Sequence, residues 1–139
     1  MVQGEQVVTN RSRCHRLIVF GGGGAGTSMA RAAVASGGVE VVAICETEPD
    51  KNSQLHAEFP SARISSDYEA LLKQTRTTLA DIATPDHLHA EHAIAALEAG
   101  CDVLVEKPLA GTVHDARRVL DVAAKHLSLI HICRCRRAI

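Results

Sequence analysis

The feature that most constrains this chain is a run of glycines set between two different periodicities. Arg16 to Phe20 (RLIVF) is a short, continuous apolar run, and Gly21-Gly22-Gly23-Gly24-Ala25-Gly26 follows it directly. Ala25 to Ser36 is rich in small helix formers and stops at Gly37-Gly38. These residues predict a buried strand, a tight turn and a helix, in that order. Gly21, Gly23 and Gly26 fit the spacing G-x-G-x-x-G. The first glycine permits the turn, the second lets a phosphate approach the backbone, and the third lets the helix pack on the strand. Gly24 and Ala25 lie inside this turn, where N–H groups at the helix start offer partial positive charge to an anion. The spacing alone is a weak signal; the strand before it and the helix after it give it weight. No Gly-Lys-Ser/Thr follows, which disfavours a P-loop.

The alternation continues along the chain. Val39 to Cys45 (VEVVAIC) reads as a second buried strand, and a helix follows from Pro49 to Phe59. Ala62 to Ser65 predicts a short third strand, and Asp67 caps a helix through Lys73. Leu79 to Ala83 is the fourth strand, closed by Thr84-Pro85, and Leu88 to Ala99 is a helix ended by Gly100. Asp102 to Val105 is the fifth strand, closed by Pro108. Thr112 to His126 is the last helix, with Val119 and Leu120 expected on its apolar face. This alternation predicts an α/β fold: a Rossmann doubly wound parallel sheet in a single domain, with right-handed crossovers and strand order 3-2-1-4-5. The sixth strand usual in that order is expected to be missing.

Composition narrows the partners. The formal charge is −1, so no general attraction to nucleic acid or anionic membrane is expected. No apolar run approaches the ~20 residues of a membrane helix. The five cysteines are odd in number and fit no disulfide framework. Cys45 and Cys101 fall in apolar runs, as reduced core residues of a cytoplasmic protein would. Residues 1–15 are polar and are expected to form a disordered leader ahead of the domain at 16–126. No metal site is expected. Cys133 and Cys135 lack a second pair, and the His87-x-His89-x-x-His92 pattern is expected to form a cleft edge and a solvated helix face, with His89 and His92 in the first turn of the helix.

Glu46 stands twenty residues after Gly26, at the end of the second strand. A carboxylate there accepts hydrogen bonds from ribose hydroxyls and repels a 2′-phosphate. The nearest positive charge is Lys51. NAD is therefore favoured over NADP.

Two further segments narrow the reading: Ala83-Thr84-Pro85-Asp86-His87-Leu88-His89-Ala90 and Glu106-Lys107-Pro108-Leu109-Ala110. With the glycine turn, they make the chain resemble the N-terminal NAD(P)-binding domain of the glucose–fructose oxidoreductase/inositol dehydrogenase/MocA family. The resemblance covers roughly residues 16–126. It implies that Lys107 lies beside the nicotinamide and the substrate hydroxyl, and supports proton transfer while hydride passes between a substrate carbon and nicotinamide C4. A cation there stabilises a developing alkoxide or shuttles a proton. The resemblance also places Glu106 and Pro108 at the cofactor, often with a cis Lys-Pro bond, and has Thr84, Pro85 and His87 line the cofactor cleft. Many relatives carry a histidine where this chain has Met29, which is expected to fill space in the first helix.

The family pairs this domain with a C-terminal α/β domain that forms the substrate pocket and often the oligomer interface. The chain stops before such a domain, so it is expected to be truncated and, by itself, without turnover. Residues 127–139 (LSLIHICRCRRAI) match what the mosaic end and adapter of a sequencing library encode, and are expected to be a non-native tail. The alternative is a genuine basic tail that binds an acidic partner. The intact enzyme is expected to act on a small-molecule substrate, a sugar, cyclitol or related alcohol. Two other readings stay open: a non-catalytic dinucleotide-binding sensor, and another Rossmann enzyme such as a homoserine dehydrogenase or biliverdin reductase relative. Lys107 argues against a sensor, which has no need of a lysine at a hydride site.

Overall fold

The computed structural model describes residues 14–133. Six strands form one parallel sheet: β1 (His15–Phe20), β2 (Val39–Cys45), β3 (Arg63–Ser65), β4 (Leu79–Ile82), β5 (Asp102–Glu106) and β6 (Ile130–Cys133), in the order β3-β2-β1-β4-β5-β6. Five α-helices connect them: α1 (Gly24–Ser36), α2 (Asn52–Glu58), α3 (Tyr68–Thr75), α4 (His89–Glu98) and α5 (Val113–His126). Short 3-10 turns at Pro49–Lys51 and Asp86–Leu88 lead into α2 and α4.

The apolar runs become strands because side chains alternate between the two faces and helices pack on each of them. Leu17 and Val19 pack with Ala30, Val41, Ile44 and Leu55 on the side of α1 and α2. Ile18 and Phe20 pack with Leu71, Ala93 and Leu97 on the side of α3, α4 and α5. Asp67 caps α3 by accepting from the Ala70 N–H at 3.0 Å, and Thr112 caps α5 by accepting from the Asp115 N–H at 3.1 Å. Both caps satisfy donors that a helix start leaves free.

Four expectations differ from the structure. The sheet has a sixth strand: β6 pairs with β5 from Val103↔Ile130 to Glu106↔Cys133. The Asp102 carboxylate accepts the Leu129 N–H at 2.7 Å and guides the chain onto the open edge of β5, and pairing there satisfies backbone groups the edge would leave bare. The same pairing places residues 130–133 within the folded sheet, and His15, expected in the leader, opens β1. Residues 1–13 and 134–139 lie outside the described residues. Leu120 is not on the buried face of α5; it is 51% exposed. The helix packs through Val119 and Ala123, one turn apart. Finally, His89 and His92 face inward, as described below.

The α1 side of the sheet is covered unevenly. Beyond α1 an apolar groove of about 440 Å³ runs over β4, β5 and β6, with half-buried Met29 on its wall. Leu127, Leu129 and Ile132 are exposed nearby in sequence. Exposed apolar surface of this kind promotes association. On size-exclusion chromatography the chain is expected to elute above its 14.8 kDa monomer mass as concentration rises. A monodisperse, cooperatively melting monomer would contradict this.

Candidate cofactor cleft

The sheet order places a crevice at the carboxyl ends of β1 and β4, where successive crossovers diverge to opposite faces. The strand ladder carries the backbone into this crevice. Gly21 N–H donates to the Cys45 carbonyl at 2.9 Å, Ala83 N–H to the Phe20 carbonyl at 2.9 Å, and Glu46 N–H to the Ser65 carbonyl at 3.0 Å. A cleft of about 400 Å³ opens there, with Gly21, Gly23, Glu46, Tyr68, Thr84 and Pro85 among its walls.

The glycine turn has the shape its spacing predicts. Gly21 has φ +98°, and a Cβ there would stand 2.6 Å from the Ala83 carbonyl oxygen. A Cβ on Gly26 would overlap the Gly21 carbonyl, so helix and strand approach more closely than any other residue permits. A Cβ on Gly23 or Gly24, in contrast, would meet no protein atom within 4 Å. Helix α1 begins at Gly24 with no side-chain cap and no acidic residue in its first turn. The open space at Gly23 and Gly24 and the uncapped N–H groups, Ala25 among them, suit a pyrophosphate.

Glu46 is buried and ties the turn to β2. Its Oε2 accepts the Gly22 N–H at 2.8 Å and its Oε1 accepts the Glu48 N–H at 2.8 Å. Lys51 Nζ stands 3.8 Å from Oε2 and bonds Glu48 at 3.1 Å. Gly22 was not among the residues expected at the site; its donor role depends on a carboxylate twenty-four residues away, which the glycine spacing does not reveal. Each carboxylate oxygen retains acceptor capacity beyond these bonds. Arg31, the other cation beside the turn, is paired with Glu58.

The far side of the cleft comes from the β4 and β5 exits. Thr84 and Pro85 line it, whereas His87 is exposed on the Asp86–Leu88 turn and is not on its wall. Lys107 follows β5 with an exposed side chain, so the described residues do not bury it. The Lys107–Pro108 peptide bond is cis, and Glu106 ends β5 half-buried.

His92 and Tyr68 complete the wall and were missed as site residues. His92 is 6% exposed, packs against Phe20 and Tyr68 at ring distances of 5.0 and 4.9 Å, and has Nδ1 3.0 Å from the Thr84 hydroxyl. Burial pushes the His92 pKa down, which favours the neutral ring. Tyr68 donates its hydroxyl to Glu91 at 2.7 Å, and this bond, with burial, pushes its pKa up to about 12. A solvated face does not describe this side of α4. His89, Ala93 and Ala96 fall at i, i+4 and i+7, and all are buried. Among the described residues no group of three or more His, Cys, Asp or Glu side chains could hold a metal ion. Cys45 and Cys101 are buried free thiols; burial pushes the Cys45 pKa up to about 11. No described helix is long and apolar enough to cross a membrane.

Comparison with known proteins agrees with this fold. The family model of the Gfo/Idh/MocA oxidoreductases, described as an oxidoreductase family with an NAD-binding Rossmann fold, matches residues 15–132. The chain belongs to this family. It is 43% identical over 81 residues to 1-carboxy-3-chloro-3,4-dihydroxycyclohexa-1,5-diene dehydrogenase of Comamonas testosteroni, covering 58% of this chain and 20% of that protein. It is 34% identical over 87 residues to D-glucoside 3-dehydrogenase of Escherichia coli, covering 63% and 25%. The WlbA dehydrogenase of Bordetella pertussis, solved with NADH and UDP-GlcNAcA, superposes with a TM-score of 0.80 at 28% identity, over 86% of this chain and 36% of that one. Biliverdin reductase from Synechocystis, solved with biliverdin and NADP+, gives 0.78 at 26% identity, over 84% and 37%. The chain thus spans about a fifth to a quarter of the length of these curated Gfo/Idh/MocA relatives.

Proposed function

We propose that this domain binds NAD in the cleft between the glycine turn and the exits of β4 and β5, as the cofactor-binding portion of a dehydrogenase acting on a sugar, cyclitol or related alcohol. The observation that carries the reading is the convergence of three elements at one sheet edge: an uncapped glycine turn with open space at Gly23 and Gly24, the buried Glu46 carboxylate, and the Lys107–Pro108 exit of β5. The dehydrogenases among its relatives support the substrate class.

In this reading the first-turn N–H groups of α1 hold the pyrophosphate, aided by the helix dipole. Glu46 orients the adenosine ribose with the acceptor capacity its two backbone bonds leave. Thr84 and Pro85 border the nicotinamide end, beside Glu106 and Pro108. When bound, the nicotinamide supplies the hydride acceptor or donor. Lys107 stands where a cation stabilises the alkoxide as the substrate hydroxyl gives up its proton. Turnover requires the remaining length found in the relatives, which would supply the substrate pocket and the groups that complete proton transfer, so this chain alone binds cofactor without catalysis.

Glu46 also sets the cofactor preference. A 2′-phosphate would meet its carboxylate, and the cations near it, Lys51 and Arg31, are already paired with Glu48 and Glu58. Fluorescence titration is expected to show NADH binding at least about tenfold tighter than NADPH, an unfavourable charge contact of about 1.4 kcal/mol. Equal affinities, or a preference for NADPH, would overturn the role given to Glu46. Absence of binding by a folded sample would overturn the cofactor reading itself.

A further inference from the structure

His89 is 1% exposed, and no step of the proposed reaction uses it. Its ring stands between the exits of β4 and β5. Nε2 lies 2.7 Å from the Thr84 carbonyl oxygen, and Nδ1 lies 2.7 Å from the Pro108 carbonyl oxygen. A carbonyl only accepts, so both contacts are hydrogen bonds only when both ring nitrogens carry protons. The two acceptors belong to the two loops that border the nicotinamide end in the reading above.

The ring has a rigid base. It projects from the first residue of α4, whose Ala93, Ala96 and Leu97 are fully buried in the core. One turn along, His92 engages the hydroxyl of the same Thr84 whose carbonyl faces His89. Thr84 is therefore held at two atoms by one helix, and Pro108 is held to that helix through a single ring.

The geometry points to His89 as a positioning residue that fixes the separation between the Thr84-Pro85 wall and Lys107. It acts through two carbonyl groups and touches neither cofactor nor substrate. This inference rests on the dinucleotide reading of the cleft. Its chemical content is specific, because only a side chain with two opposed N–H donors can bridge both loops. Glutamine at this position has donors at one end only.

The test compares two ligands on the full chain. NADH spans the whole cleft, whereas ADP-ribose carries the adenosine and pyrophosphate but no nicotinamide. In His89→Gln, NADH is expected to bind about tenfold more weakly, the effect of losing one positioning hydrogen bond, while ADP-ribose affinity stays within about twofold. Equal weakening of both ligands would indicate a general loss of structure and overturn the inference, as would unchanged NADH binding. Nitrogen-15 NMR of the histidine rings in the unsubstituted chain gives a second readout that does not depend on the variant folding. His89 is expected to show two ring N–H groups protected from exchange; one protonated nitrogen would leave a loop unbridged and overturn the inference. If neither ligand binds the unsubstituted chain, the dinucleotide reading fails and the positioning role with it, while the ring spectrum still reports whether the bridge exists.

Discussion

Asp81→Asn is expected to stabilise the chain at about pH 8 and to change it little near pH 4. Asp81 lies within β4, between Val19 of β1 and Leu104 of β5 in the sheet register, and is 1% exposed. Neither carboxylate oxygen has a hydrogen-bond partner. Burial, with a smaller contribution from Glu106, pushes its pKa up to about 7 from an ordinary value of 3.8. The folded state therefore holds this proton more tightly than the unfolded state. The stabilisation is complete below the unfolded value and is lost as pH rises through the folded one. The interval corresponds to up to about 4 kcal/mol between acid and mildly basic solution. Asparagine fills similar space and does not ionise. Urea unfolding of both proteins across this range isolates the effect, because other titrating groups cancel in the difference. A variant less stable than the parent at about pH 8, or parallel pH profiles, would show that the carboxylate has a partner.

The second large effect separates two glycines of the same turn by what surrounds them. Gly26→Ala is expected to damage folding and binding together, because its Cβ would overlap the Gly21 carbonyl and press on Val19 Cγ1 at 3.0 Å. Overpacking of this kind costs about 1–3 kcal/mol, and backbone on one side leaves little room to relax. Gly23→Ala is expected to melt like the parent. Its φ of −78° suits alanine, and the added methyl meets no protein atom within 4 Å. That methyl instead enters the space assigned to pyrophosphate, so NADH affinity is expected to fall about 10- to 100-fold. Paired melting curves and titrations distinguish the two substitutions. Unchanged NADH binding by Gly23→Ala would place the phosphate elsewhere.

Much of the fold is legible because its signals are local. β1, β2, β4 and β5 read as apolar runs, with β1, β2 and β4 mostly buried and β5 alternating buried and half-buried positions, and Asp67 announces its helix as a cap. The glycine turn and Glu46 are legible from spacing, since turn, helix and second strand have nearly fixed lengths. β6 is not legible in this way. Its strand state depends on the Asp102 carboxylate and on the open edge of β5, both of which exist only after the sheet forms. Leu120 misleads because an apolar residue next to Val119 lies about a quarter-turn away on a helix. The inward histidines are hidden by their polarity, although His89 shares the period of Ala93 and Ala96. His92 has a further clue, since its partners Phe20 and Tyr68 are two of only three aromatic residues in the chain.

The central claim is that a dinucleotide lies across the carboxyl edge of this sheet, with its pyrophosphate on the glycine turn. Amide NMR of the nitrogen-15-labelled chain during NADH titration tests it most directly. The largest saturable shifts are expected at Gly22 to Gly26, at Glu46 and Thr47, and at Thr84. Shifts confined to the apolar groove around Leu17, Leu79 and Leu104, or none in a folded sample, would contradict the account.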